Sequence, residues 1–138
     1  MKAGFRITLI LPAALAAVVL VAAGCGSSSK PAYCSDVSNL QTSVDSLKNV
    51  QLQSGAVSTL KTDVQKVQSN ANAVVSSAKQ DFPSQTSALQ SSVSSLSTSV
   101  QALPPNPTAQ QLVPIAAEVA STVSAADNLK SATSSACD

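Results

Sequence analysis

The chain has 138 residues, which is room for one domain. Eight Lys and Arg stand against seven Asp and Glu, giving a formal net charge of +1 and no basic excess that would mark a nucleic-acid partner. There is no His and no Trp, and only Phe5, Tyr33 and Phe82 are aromatic. The commonest general base and metal ligand are therefore missing, as are most stacking platforms.

Residues 1–24 read as a secretory leader. Lys2 and Arg6 supply a positive start, Ile7 to Ala23 are apolar apart from Thr8 and Pro12, and Ala22, Ala23 and Gly24 are small. A stretch of this length is at the lower edge of what spans a bilayer, and Pro12 weakens it as a membrane helix. Val21-Ala22-Ala23-Gly24-Cys25 resembles the lipobox of bacterial lipoproteins, although Ala22 stands where the family usually has Leu. The resemblance implies cleavage before Cys25 and a diacylglyceryl group on its sulfur, with two or three acyl chains holding the protein at the membrane. The Ala/Val-rich leader and Ser-rich remainder also resemble small lipoproteins of actinobacterial type, a likeness of composition that implies no activity. Residues 25–31 then form the lipidated Cys and a flexible tether, Gly26-Ser27-Ser28-Ser29-Lys30-Pro31, that reaches about 20 Å at most.

Much of the apolar content lies in the leader. Beyond it remain six Lys, seven acids, no Arg and all 25 Ser. Serine on this scale can mean a disordered stalk, but the apolar spacing argues for a helical domain over residues 32–138. In residues 36–48 the stripe is Val37, Leu40, Val44 and Leu47. In residues 56–79 it is Val57, Leu60, Val64, Val67, Ala71, Val74 and Ala78. Residues 82–103 carry Phe82, Leu89, Val93, Leu96, Val100 and Leu103, with Thr86 in one slot. Residues 109–136 carry Leu112, Ile115, Val119, Val123, Ala126 and Leu129. Alternating steps of three and four predict four amphipathic helices with a narrow, coiled-coil-like seam.

The breaks are punctuated. Ser54-Gly55 offers a stop and a possible cap, and Asp81-Phe82-Pro83 accompanies a one-residue slip of register, which predicts a turn rather than a kink. Pro104-Pro105-Asn106-Pro107 cannot be helical, and Thr108 with Gln111 makes a capping box for the last helix. Pro114 is expected to delay that helix or bend it.

With Cys25 assigned to lipid by the resemblance, Cys34 and Cys137 are left as a disulfide in an exported protein. They sit at the start of the first helix and the end of the last. Those ends share a pole in an up-down-up-down bundle of four helices, but lie about 30 Å apart in a bundle of three 20-residue helices. The expectation is an all-α, antiparallel four-helix bundle.

Chemical constellations are sparse. Ser27/Lys30, Ser58/Lys61 and Ser76/Lys79 repeat the Ser-x-x-Lys spacing of penicillin-recognising enzymes, but that family's other motifs are missing. Asp45/Lys48, Asp63/Lys66 and Asp127/Lys130 read as i,i+3 ion pairs on solvated faces. Glu118, the one Glu, reads as a residue of a polar face. Tyr33 reads as a residue beside the disulfide or the headgroups, and Phe82 as a core or staple residue. No catalytic residue, metal ligand or cofactor is expected.

The expected function is that of a lipid-anchored, extracytoplasmic lipoprotein of the cell membrane, acting as a non-catalytic structural or interaction module of the envelope. Its partners would be the membrane, through the lipid on Cys25, and an envelope protein or further copies of itself. The alternative is a carrier holding a small apolar ligand inside the bundle, where Ala71, Ala78 and Ala126 leave space.

Overall fold

The computed structural model describes residues 30–52 and 55–138. The leader, Cys25 and Ser54 lie outside the described residues. Four helices follow one another, α1 (Ala32–Asn49), α2 (Val57–Ala78), α3 (Pro83–Gln101) and α4 (Ala109–Cys137), and no strand occurs among the described residues. α1 and α3 each pack against both α2 and α4, which closes a ring of helices around one core.

The stripes account for that core. Every stripe residue predicted in the first two helices is buried, and in α3 the polar slot Thr86 is buried in line with Leu89, Val93, Leu96 and Val100. α1 begins earlier than the spacing from Val37 suggests. Pro31 holds the N-cap position in an extended conformation, the N–H of Cys34 bonds its carbonyl, and Tyr33 supplies the first stripe residue, only 7% exposed. The aromatic ring packs edge-on against Phe82 at 5.5 Å between centroids. Tyr33 is therefore a core residue rather than a headgroup contact.

Connections follow the predicted breaks. Gly55 has φ +104°, a conformation open chiefly to glycine, while the N-cap of α2 is Ala56 without a side-chain hydrogen bond. Phe82 occupies the N-cap of α3 and Pro83 its first turn, where the missing N–H costs no helical bond. The capping box at α4 is formed: the Gln111 N–H donates to Thr108 Oγ1 at 3.3 Å, and the Thr108 N–H donates to Gln111 Oε1 at 2.8 Å. This box starts α4 at Ala109, so Pro114 does not delay it. Pro114 is exposed, which leaves the carbonyl it deprives of a partner on the solvated side of the helix.

In the second half of α4 the burial departs from the predicted stripe. Val119 and Val123 flank the core half-buried, whereas Thr122, Ala125 and Thr133 enter it beside Ala126 and Leu129. Thr122 has 0% exposure. Threonine's methyl fits a helical core slot about as valine does, so reading apolar residues alone misplaced the seam by one position.

The serine-rich surface is compatible with helix because the hydroxyls turn back on their own backbone. Thr42, Ser46, Thr62, Ser76 and Thr98 each donate to the carbonyl four residues earlier. Others link neighbouring helices: Ser77 Oγ donates to Asp36 Oδ2 at 2.7 Å, Asn70 Nδ2 to the Asn39 carbonyl at 3.2 Å, and Ser97 Oγ to Gln68 Oε1 at 3.3 Å.

Candidate functional site

One end of the bundle brings together the predicted cysteines. Cys34 in the first turn of α1 and Cys137 at the end of α4 form a disulfide, with their Cα atoms 5.5 Å apart and a sequence separation of 103. Each half-buried cysteine packs against the edge of the core. The bond therefore ties the point where the chain enters the domain to the point where α4 ends.

Beside the disulfide, α1 and α4 enclose an open groove of about 610 Å³. Val37 and both cysteines line it from the core side, and Gln41 and Thr133 also contribute. Gln41 Nε2 crosses to the Ala126 carbonyl at 3.1 Å and bounds the contact between the two helices. Lys30, Lys130 and Asp138 supply the charged groups of the lining. The Lys30 ammonium donates to the Cys137 carbonyl, which lays the chain preceding α1 against the end of α4. Lys30, expected in the tether, and Lys130, expected to pair with Asp127, both line this groove. A signal is present for Lys130, which lies seven residues before Cys137 on α4, two helical turns from the bridge; Lys30 precedes α1, and no helical spacing points to it.

The remaining candidates are scattered. Lys48 and Asp45 pair at 3.3 Å on the surface, as expected. Lys66 and Asp63 pair at 3.2 Å, but Asp63 is buried, 8% exposed, so this pair is not on a fully solvated face. Lys130 forms no ion pair with Asp127 among the described residues and lines the groove instead. Neither Ser58/Lys61 nor Ser76/Lys79 forms a Ser–Lys hydrogen bond. Lys61 donates to the Leu103 carbonyl at 3.5 Å, and the Ser76 hydroxyl to the Asn72 carbonyl at 2.9 Å.

Glu118 is half-buried between α3 and α4 rather than on an open polar face. Its Oε1 accepts from Ser99 Oγ at 2.8 Å, while Oε2 is buried without a partner. One turn further along, Thr122 Oγ1 is also buried and unpartnered. The cause of Glu118's placement is its spacing: it falls in the seam's 115–118–122 progression, beneath the Ser99 hydroxyl. A single carboxylate with one hydroxyl donor makes a polar contact between helices. Among the described residues no three His, Cys, Asp or Glu side chains gather in a metal-binding group.

Ala71, Ala78 and Ala126 are packed into the core, each at most 1% exposed. No helix among the described residues is long and apolar enough to cross a membrane. No protein-family model, curated protein or solved structure matches the chain.

Proposed function

We propose that the chain is a lipid-anchored extracytoplasmic protein whose bundle is a non-catalytic structural or interaction module of the cell envelope. In this reading residues 1–24 are removed, Cys25 carries the lipid, and residues 26–31 hold the domain close to the bilayer. The observation that carries the reading is the Cys34–Cys137 disulfide, a bond that persists outside the reducing cytoplasm. It clamps the domain at the end from which the tether leaves, so a pull on the anchor is borne by α1 and α4 together.

The bundle is taken to run up-down-up-down. Contacts between early positions of one helix and late positions of the next support this course: Asp36 with Ser77 and Asn39 with Asn70, then Lys61 with Leu103 and Gln68 with Ser97. The disulfide end would then face the membrane, and the proline connector of residues 104–107 would face away.

The test is the intact mass of the protein recovered from membranes, together with its fractionation. The expected form begins at Cys25, carries a diacylglyceryl thioether and sediments with membranes, and Cys25→Ser releases it. An uncleaved chain, or an unmodified one in the soluble fraction, would refute the anchor. Crosslinking in intact cells tests the module's role. Recovery of an envelope protein or of a second copy is the expected result, and repeated recovery of neither would overturn it.

A further inference from the structure

The groove between α1 and α4 has a composition that the disulfide does not require. A packed helix pair would close over the core there. Instead about 610 Å³ remain open, lined by apolar Pro31 and Ala32 with the edge of buried Val37, by hydroxyl and amide side chains, and by the charged residues Lys30, Lys130 and Asp138. An apolar wall beside two lysines and one aspartate is the complement of an amphiphile whose head carries an anion, alone or together with an ammonium. The site's position narrows the choice of amphiphile. Lys30 is five residues from Cys25, so the groove lies within about 17 Å of the anchoring sulfur. On the anchor reading proposed above, on which this inference rests, the groove is held at the surface of the bilayer.

We propose that this groove seats one phospholipid of the membrane. Its phosphate lies against the ammonium groups of Lys30 and Lys130, and part of one acyl chain lies along the Pro31–Val37 wall. Lys30 already donates to the Cys137 carbonyl, which fixes the amine beside the disulfide and leaves its remaining N–H donors for a phosphate oxygen. Asp138 in the same lining offers a carboxylate to a headgroup that carries its own ammonium. The bound lipid would orient the bundle on the membrane, which a flexible tether alone does not do.

The experiment places a photoreactive benzoylphenylalanine at Ser38, a residue of the groove lining, or at exposed Ser94 of α3 as a control. The full-length processed protein is reconstituted in vesicles of phosphatidylethanolamine and phosphatidylglycerol, irradiated, and its adducts are weighed. A phospholipid adduct at position 38 and little at 94 is expected, falling about fivefold for each of Lys30→Gln and Lys130→Gln. Equal labelling at 38 and 94, no lipid adduct, or a link to the acyl group of Cys25 itself would overturn the proposal. The mass at Cys25 is read in the same spectra. A lipidated protein without the adduct refutes the groove alone. An unmodified Cys25 with a groove adduct refutes the anchor and leaves the lipid seat standing.

Discussion

Breaking the Cys34–Cys137 bond should remove a large part of this domain's stability. The bond closes a loop of 103 residues, and in the chain-entropy model that constraint is worth about 4.7 kcal/mol at 25 °C. Few alternatives compensate for it. Among the described residues much of the seam is Val and Ala, the aromatic contribution is one Tyr–Phe pair, and the ion pairs are local i,i+3 contacts. A domain of this size has an unfolding entropy of roughly 0.2 kcal/mol per degree, so the loss corresponds to about 20 °C in Tm. The assay is urea and thermal unfolding followed by circular dichroism at 222 nm, on a Cys25→Ser protein with and without Cys34→Ser and Cys137→Ser. The single and double cysteine variants should agree once a free thiol is alkylated. A loss under about 1.5 kcal/mol, with unchanged m-value, would refute the claim that loop closure underwrites the fold.

Three further substitutions test separate elements. Thr122→Val removes a fully buried hydroxyl that has no partner while keeping the side-chain shape, and should raise stability by about 1 kcal/mol in urea unfolding; a loss would mean the hydroxyl is satisfied. Gly55→Ala meets no atom within 4 Å at the added Cβ but is strained at φ +104°, so it should cost about 1–2 kcal/mol, and a neutral result would refute the left-handed turn. A double-mutant cycle on Tyr33→Leu and Phe82→Leu should return a coupling of about 0.5–1.5 kcal/mol for the edge-on pair; additive effects would place the rings out of contact.

How far the sequence carries is best seen at particular residues. Val37, Leu40, Val44 and Leu47 announce α1 because the step of three and four is a property of the helix itself, independent of what the helix meets. The same holds for the seven buried apolar positions of α2 from Val57 to Ala78. Thr122 and Tyr33 behave differently. Threonine and tyrosine tolerate both water and core, so their place depends on which neighbour arrives: for Tyr33, the edge of Phe82 nearly fifty positions away. Asp63 and Lys66 form the pair that their spacing predicts, yet that spacing does not record that Asp63 is buried.

By itself the sequence determined four helical segments, the breaks between them, the Thr108–Gln111 cap and the pairing of Cys34 with Cys137. The helices, breaks and cap rest on local periodicity and backbone restriction, and the cysteine pairing on the lipobox resemblance that sets Cys25 aside. Tertiary structure alone decided the ring in which the helices pack, the seam position of Thr122, the polar contact between Ser99 and Glu118, and the groove that collects Lys30 and Lys130. These depend on which faces meet across long sequence separations, and a residue's own chemistry does not record the surface opposite it.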